Sequence, residues 1–363
     1  MAGQCLPRGL TTVEKENVLT ETSERIQKRI RAGDCTVTLL PQFGGKIASV
    51  CVKNRELLHA PLAEVAPRTR TMAFDAGDAS GWDECLPSVA ACTVETPAGP
   101  AHVPDHGDLW RVEWSKTGNR EQPPQRPRPV SGGPGKEQGT GIREQKTSDD
   151  GSSYTLRGEC FSVPLALERN LQLTESAKGW RLLVDYTLMN TGKVAAPWSW
   201  AAHPLWAVDA GDSVELPESI SSLRVEGSGG GRLGASGDQV AWPVAKHANG
   251  GRSDLSVVQG RRSRIADKLF AGPLAANENW CALLRPKAGL RIRFSFDVAA
   301  APFLGLWLCY GGWPERRGTK QMCVAMEPST TPVDSLAKAG EWTRVLGAGK
   351  SSSWKMCVDI EIV

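Results

Sequence analysis

Two segments of the sequence hold side chains suited to proton transfer near neutral pH. His203 lies in the apolar, aromatic-rich residues 198–206, where an imidazole would be partly desolvated and its pKa open to tuning. Glu327 ends the apolar run 324–326, directly before a proline-rich turn. The two residues are therefore candidates for a general acid and a general base. Structural interpretations also stay open, with His203 as a hydrogen-bonded core histidine and Glu327 as the cap of a following short helix.

Another histidine, His106, stands in a turn-like segment before residues 110–114, whose sequence WRVEW predicts a strand. Polar residues on loops at the mouth of a β-sheet commonly line sites, so His106 is a candidate binding residue. His102 precedes it by four residues, the spacing of a helical metal pair. Pro104 argues against a helix, and no third ligand is near in the sequence. We therefore predict no metal site, and no cofactor motif is present.

Glu327 could also belong to a pair of carboxylates like that of a glycosidase. Asp83 and Glu84 are both candidates for its partner, since the separation of two carboxylates cannot be read from a sequence. A serine nucleophile of the hydrolase type is not predicted, because the sequence contains no GxSxG turn.

The elements that must position these side chains are predicted to be strands. Apolar and polar residues alternate with a period of two over residues 165–173, 180–188, 290–297 and 354–362, the first run being interrupted at residues 168–170. Such alternation is typical of strands with one buried face. Helical patterns are few and cover residues 22–30 and 332–339. Many strands with almost no helix predict an all-β sandwich or barrel.

The composition is that of a globular protein without a strong net charge. Of 363 residues, 40% are hydrophobic, and 43 Lys and Arg against 40 Asp and Glu give a net charge of +3. This balance lacks the basic excess typical of nucleic-acid-binding proteins. No apolar run reaches the ~18 residues of a membrane-spanning helix, and no signal peptide is recognised. The ten cysteines include no CxxC pair, so we predict reduced thiols in a cytoplasmic protein.

Two segments interrupt the pattern of strands. Residues 115–152 contain no aromatic residue and only Val130 and Ile142 as aliphatic ones, which predicts a mobile insertion in a surface loop. Residues 226–239, with three consecutive glycines, predict a second flexible connection. We predict an N-terminal tail over residues 1–34 and one domain over residues 35–363 that contains the insertion.

Seven short motifs, taken together, resemble the aldose 1-epimerase (galactose mutarotase) family, in particular its bacterial members. They occur in the family's order, and this common order makes the resemblance specific, since each motif alone is weak. The motifs are residues 43–47 (FGGKI), 81–87 (GWDECLP), 105–110 (DHGDLW), 202–206 (AHPLW), 267–270 (DKLF), 304–307 (LGLW) and 326–335 (MEPSTTPVDS).

The resemblance implies a large antiparallel β-sandwich of the galactose mutarotase type, with a sugar site in a cleft on one sheet. It implies that His203 is the general acid, that Glu327 is the general base and that His106 contacts the sugar. Asp267 resembles the acidic residue that binds sugar hydroxyls, and Asp83 is placed with the substrate-binding residues. The family's substrate-binding arginine has no clear match in this sequence.

The resemblance also implies an activity, the interconversion of the anomers of a monosaccharide by an isomerase of carbohydrate metabolism that needs no cofactor. The base would deprotonate the anomeric hydroxyl while the acid protonates the ring oxygen, and both can be in the required form near pH 7 if their pKa values are moved only modestly. The partner would be an aldose, free, phosphorylated or otherwise derivatised, with no nucleic acid and no membrane. Trp307, Trp82 and Trp206 could stack on the sugar or pack in the core.

Two other functions share the implied fold. A non-catalytic carbohydrate-recognition protein would keep the cleft without turnover. A carbohydrate-active lyase or hydrolase fits less well, because the chain is compact and no helical toroid is predicted.

Overall fold

Antiparallel strands make up most of the structure. A computed structural model describes residues 27–62, 65, 67–117, 151–315 and 318–363. The strands, in chain order, are β1 (Lys28–Ala32), β2 (Cys35–Leu40), β3 (Lys46–Val52), β4 (Arg55–Glu56), β5 (Trp82–Cys85), β6 (Cys92–Thr96), β7 (Gly99–Val103), β8 (Ser115–Lys116), β9 (Ser153–Glu159), β10 (Leu165–Ser176), β11 (Gly179–Asn190), β12 (Ala196–Trp198), β13 (Ala201–Ala207), β14 (Ser213–Glu215), β15 (Ser222–Ser228), β16 (Gln239–Ala241), β17 (Val244–Lys246), β18 (Arg252–Asp254), β19 (Ile265–Ala271), β20 (Trp280–Arg285), β21 (Leu290–Phe296), β22 (Phe303–Tyr310), β23 (Met322–Ser329), β24 (Arg344–Leu346) and β25 (Ser351–Ile362).

Helical structure in the described residues is limited to single 3₁₀ turns of three residues. They are Pro41–Phe43, Phe74–Ala76, Leu109–Arg111, Gly229–Gly231, Arg261–Ser263, Ala276–Glu278, Pro286–Ala288, Leu336–Lys338 and Gly340–Trp342. None of the helices described has the length or apolar character needed to cross a membrane.

Two large sheets form the sandwich. The first has the order β1-β2-β3-β5-β13-β23-β22-β19-β15-β16, with β4 beside β3, and the second has the order β14-β20-β21-β25-β11-β10-β9-β8. Trp82 on β5 and Trp206 on β13 pack against Phe294 on β21, with ring centroids 5.9 Å and 5.8 Å apart. The core therefore lies between the two sheets, and the predicted all-β sandwich is confirmed.

The four clearest alternating patterns lie in β10, β11, β21 and β25, as predicted. The interruption predicted at residues 168–170 is wrong, since β10 continues through it. Arg169 occupies an inward position of the alternation and is fully buried. Its Nη1 donates to Glu84 Oε1 over 2.9 Å, and Glu84 also accepts from Tyr186 Oη and Trp200 Nε1, each over 2.9 Å. The charge is tolerated in the core because it is paired there.

Several local predictions are corrected by the structure. Residues 28–30 of the predicted helix 22–30 belong to β1, and its first residues lie outside the described ones. Residues 110–114 form no strand, because the segment starts as a 3₁₀ turn at Leu109–Arg111. The helix predicted over residues 332–339 is reduced to the turn Leu336–Lys338. Residues 226–239 include the end of β15 and a 3₁₀ turn rather than a connection without structure.

The predicted boundaries also shift at their edges. The first sheet starts at Lys28, before the end of the predicted tail at residue 34, because Ile30 is apolar and fully buried in β1. At the insertion, Ser115–Lys116 pair with β9. Residues 118–150, most of the predicted insertion, lie outside the described residues.

The buried Arg169–Glu84 pair yields a prediction about stability. Burial raises the pKa of Glu84, and Arg169, Trp200 and Tyr186 oppose this rise by donating hydrogen bonds that favour the carboxylate. Changing Glu84 to Gln would leave the guanidinium of Arg169 buried without a counter-charge. We expect the free energy of unfolding to fall by about 3–5 kcal/mol, measured by urea denaturation.

The matched control is Glu159→Gln, which removes the partner of Arg157 on β9. The Glu159 side chain is 69% exposed, so the loss should stay below about 1 kcal/mol. Equal losses in the two variants would contradict the role assigned to the Arg169–Glu84 pair.

Candidate functional site

A cavity of about 270 Å³ lies over the central strands of the first sheet. Its walls combine acidic, basic, imidazole and indole groups. The lining residues are Phe74, Val89, Ala90, Asp105, His106, His203, Lys268, Trp307, Trp313, Gln321, Glu327 and Asp334. Met326, next to Glu327, belongs to the core between the sheets. Because side chains alternate across a strand, the cavity is on the outer face of this sheet.

Four neighbouring strands, in the order β13, β23, β22 and β19, carry the polar floor of the cavity. His203 is on β13 and Glu327 on the adjacent β23, where the register pairs Leu205 with Ala325. Lys268 is on β19, two strands from Glu327. The sheet therefore brings together residues that are far apart in sequence and fixes their spacing.

His203 and Glu327 face each other at the bottom of the cavity. Nε2 of His203 lies 3.8 Å from Oε1 of Glu327, and both residues are more than nine-tenths buried. Oε1 of Glu327 and Nδ1 of His203 are buried and make no hydrogen bond in the described structure. Unpaired buried polar atoms are uncommon in folded proteins, and this pair lines a cavity that could admit a ligand. The structure thus brings the predicted acid and base together.

Burial moves the pKa values of these two groups in opposite directions and favours the uncharged form of both. It raises the pKa of Glu327, which Lys268 opposes and Asp334 reinforces. It lowers the pKa of His203 well below its usual value, and nearby His106, Lys268 and Lys46 act in the same direction. The condition that the pKa of His203 is moved only modestly is therefore not met, because the imidazole is desolvated and surrounded by basic groups. The uncharged form of His203 is therefore favoured.

His106 forms the side wall of the cavity. Its ring stacks on Phe74 with centroids 3.7 Å apart and meets the ring of His203 edge-on at 5.1 Å. Nδ1 of His106 lies 2.8 Å from Oδ2 of Asp105. Although burial opposes its ionisation, the pKa of Asp105 is lowered by this hydrogen bond and by the charge of His106. An ionised carboxylate only accepts, so Nδ1 of His106 donates in this hydrogen bond, and Nε2 is the ring nitrogen left for a ligand.

The other two predicted binding residues do not line the cavity. Asp83 pairs in register with His203 on the adjacent strand, but its Oδ2 accepts a hydrogen bond from Nζ of Lys46 over 2.5 Å. Asp267 accepts a hydrogen bond from Ser228 Oγ over 2.6 Å and forms an ion pair with Arg232. Alternation along β19 explains the difference, because it turns Lys268 rather than Asp267 towards the cavity.

The structure also shows where the other candidate residues from the sequence lie relative to the cavity. Of the three tryptophans considered for stacking, Trp307 lines the cavity, whereas Trp82 and Trp206 are fully buried in the core. Glu84 is held between the sheets and does not line the cavity with Glu327. The glycosidase-like pair of carboxylates is therefore not assembled with either candidate partner.

His102 lies on β7, where its Nδ1 is 2.9 Å from Oγ1 of Thr93. Within the described ranges, no group of His, Cys, Asp or Glu side chains has an arrangement that could hold a metal ion. The nine cysteines in these ranges are free thiols, and five of them are buried.

Sequence reasoning missed several lining residues, chiefly Lys268 and Asp334. Lys268 stands in the motif at residues 267–270 and Asp334 in the motif at residues 326–335. Neither motif indicates that these two side chains line a site. Phe74 starts the 3₁₀ turn Phe74–Ala76, Trp313 is in a loop and Gln321 directly precedes β23, all outside those motifs. No periodic signal marks such positions.

Comparison with known proteins identifies solved structures that have a similar fold. No protein-family profile matches the chain, and no curated protein matches it either. Among solved structures, the Slr1438 protein from Synechocystis sp. PCC 6803 is similar with a TM-score of 0.63 and 15% identity, covering 93% of this chain and 96% of that chain. A galactose mutarotase related enzyme from Lactobacillus acidophilus gives a TM-score of 0.59 at 13% identity, with coverages of 93% and 99%.

An aldose epimerase homologue from C. elegans is similar over the same share of this chain, 93%, and 99% of its own, with a TM-score of 0.55 and 12% identity. Matches that cover nearly the whole of both chains concern the complete sandwich rather than one of its sheets. The resemblance seen in the motifs is confirmed at the level of architecture, and the chain has the galactose mutarotase-like fold.

Proposed function

We propose that this protein is an aldose 1-epimerase-like isomerase that interconverts the anomers of a monosaccharide without a cofactor. The observation that carries the proposal is the pairing of His203 and Glu327, 3.8 Å apart at the bottom of a cavity, each with a buried polar atom that lacks a partner. The neighbouring solved structures described as mutarotase-like or epimerase-like support it through their shared fold.

Mutarotation needs one group that takes a proton and one that gives a proton, close together. Oε1 of Glu327 would accept the proton of the anomeric hydroxyl while Nε2 of His203 protonates the ring oxygen. The bond between the anomeric carbon and the ring oxygen then breaks to give the open-chain aldehyde. After rotation about C1–C2, the ring closes with the two roles reversed, so the enzyme returns to its starting protonation state.

The pKa shifts define when this pair is active. Glu327 and His203 must together hold one proton, because the doubly protonated pair has no base and the fully deprotonated pair has no acid. The raised pKa of Glu327 removes the base as the pH falls, and the lowered pKa of His203 makes its protonated form a stronger acid but a rarer one. We expect a bell-shaped pH–rate profile.

His106 and Trp307 would bind and orient the sugar. Nε2 of His106 is the ring nitrogen left to form a hydrogen bond with a sugar hydroxyl. The indole of Trp307 is held by a 3.0 Å hydrogen bond from its Nε1 to Gln321 Oε1, which fixes it as part of the cavity wall. We also propose a role in carbohydrate metabolism and a cytoplasmic location, which the free thiols support.

Charges on the cavity wall favour an uncharged aldose. Among the described lining residues, Lys268 is the one Lys or Arg, and it is already bonded to Glu327 and lies 3.6 Å from Asp334. A phosphate would meet Asp105, Glu327 and Asp334 with no free cation on this wall. Repulsion of only ~1.4 kcal/mol lowers affinity tenfold. We therefore expect kcat/KM to be at least about tenfold higher for neutral hexoses than for their 6-phosphates.

The test is exchange NMR or polarimetry on a panel of freshly dissolved aldoses, with binding measured in parallel by calorimetry. Faster anomer exchange with a neutral hexose is the expected result. A preference for phosphorylated sugars would contradict the charge argument. Binding without any acceleration of exchange would overturn the isomerase and favour a carbohydrate-recognition protein, the alternative function on this fold.

A further inference from the structure

Lys268 is the least expected group in the cavity, and its surroundings are unusually specific. Its ammonium donates a hydrogen bond to Oε2 of Glu327 and lies 3.6 Å from Oδ1 of Asp334. The same Nζ lies over the ring of Phe270, 5.3 Å from its centroid. Lys268 and Glu327 are both buried, so this ion pair is shielded from water. Buried pairs of this kind cost desolvation and are weak evidence for stability alone.

The sheet contains a position that lets the two groups meet. Lys268 is on β19 and Glu327 on β23, and β22 runs between these strands with Gly305 directly opposite Glu327. A Cβ atom at residue 305 would lie 3.3 Å from Oε2 of Glu327 and 3.2 Å from the ring of Phe270. The missing side chain of Gly305 therefore leaves the space through which the ammonium reaches the carboxylate.

The contact also divides the two oxygens of Glu327 between two tasks. Oε2 is occupied by Lys268, whereas Oε1 is unpartnered and lies on the side of His203. Oδ1 of Asp334 makes no hydrogen bond but lies 3.6 Å from the same ammonium. The ammonium is thus shared between one carboxylate of the predicted acid–base pair and a second carboxylate that lines the cavity.

We propose that Lys268 is a positioning residue for the anomer-exchange reaction: shared between Glu327 and Asp334, it keeps Glu327 ionised and leaves Oε1 as the oxygen that takes the proton. The inference rests on the proposed function for its role in turnover. Its electrostatic part, that the ionisation of Glu327 depends on Lys268, can be measured without any substrate.

Other titratable groups also face Glu327 and must be included in its charge balance. They come from the neighbouring strands and from the loops that form the walls. These groups are His203, His106, Asp334, Cys85 and Cys323. Burial lowers the pKa of His203 and raises the pKa of both thiols well above their usual value, so it favours the uncharged form of all three. His106 lowers the pKa of Glu327 less than Lys268 does, so Lys268 and Asp334 are the principal charges beside the carboxylate.

The signs of their two effects are opposite. Burial raises the pKa of Glu327, Lys268 opposes this rise and Asp334 adds to it. Removing the ammonium should therefore raise the pKa of Glu327 further, by about one to three units for a close opposite charge. Removing the charge of Asp334 should lower the pKa of Glu327, because a like charge is lost and because Lys268 then interacts with Glu327 alone.

The experiment is a pH titration followed by infrared spectroscopy of the protonated-carboxyl stretching band. The Glu327 band is assigned by its loss in Glu327→Gln. In Lys268→Met, we expect its midpoint to move up by about one to three pH units, in Asp334→Asn to move down, and in Lys268→Arg to stay near the wild-type value. Lys355→Met is the control, since Lys355 pairs with Asp185 on the surface and is 74% exposed.

The same variants are then assayed for anomer exchange between about pH 5 and 9. The acidic limb should follow the infrared midpoint, so that Lys268→Met loses activity at a higher pH than wild type. A purely structural role would lower turnover at every pH without moving the limb. Lys268→Met is first checked for folding by thermal melting, and Asp334→Asn and Lys268→Arg keep the test decisive if it is unfolded.

The outcomes separate the two proposals. Infrared midpoints that coincide in wild type, Lys268→Met and Asp334→Asn would overturn the inference whatever the activity. Midpoints that move as expected in a protein that accelerates no anomer exchange would support the electrostatic part and reject the proposed function. An acidic limb that stays fixed while the midpoint moves would show that Glu327 is not the base whose charge Lys268 maintains in turnover.

Discussion

Changing Glu327 to Gln should slow anomer exchange by at least about 100-fold while leaving sugar binding nearly intact. The amide has the shape of the carboxylate, and its oxygen can still accept from Nζ of Lys268, the contact that Glu327 makes in the structure. It cannot accept the proton of the anomeric hydroxyl. The loss should therefore appear in kcat rather than in KM, which is the signature of an interaction needed in the transition state.

The measurement is exchange NMR with the best aldose of the panel, with affinity taken from calorimetry. Glu215→Gln is a matched control, since it also removes a carboxylate paired with a cation, Arg291, but on the second sheet. A thermal melt checks that Glu327→Gln is folded. Turnover close to that of wild type in a folded Glu327→Gln would exclude Glu327 as the base.

Features that depend on contacts within one strand can be predicted from the sequence. Features that depend on contacts between residues distant in the sequence cannot. The long strands β10, β11, β21 and β25 were predicted because one face of each is buried, and burial leaves a period of two in the sequence. Arg169 was read as a break in that pattern, since a charged residue is rarely buried. Its partner Glu84 belongs to the other sheet, and such a pairing across the sandwich leaves no local signal.

The residues of the site divide in the same way, into those with a local signal in the sequence and those without one. His203, Glu327 and His106 were found because each stands in an unusual local setting, and the resemblance then joined them into one site. Lys268 was missed because Leu269 and Phe270 are both apolar, so the sequence does not show which face of β19 they belong to. A motif can locate a strand without fixing which of two adjacent residues points into a cavity.

His203 and His106 should respond differently to the same substitution. In His203→Asn, turnover should fall much more than binding weakens, because the imidazole acts on the ring oxygen mainly in the transition state. In His106→Asn, KM should rise with a smaller effect on kcat, because this residue orients the sugar through hydrogen bonds. The two imidazole rings are in contact, with centroids 5.1 Å apart. Each variant therefore serves as the control for a general structural disturbance of the site caused by the other substitution.

The pH–rate profile decides whether His203 is the acid. Wild type should show two limbs, because the pair must hold one proton, and His203→Asn should lose one of them and keep a single titration that belongs to Glu327. Since the pKa of His203 is lowered, its limb should lie below the pH at which an ordinary histidine titrates. Steady-state kinetics of both variants between about pH 5 and 9 would detect this.

If His106→Asn abolishes turnover and His203→Asn only weakens binding, the roles are exchanged. If neither substitution changes turnover, the protein does not use this pair, and carbohydrate recognition becomes the better account of the cavity.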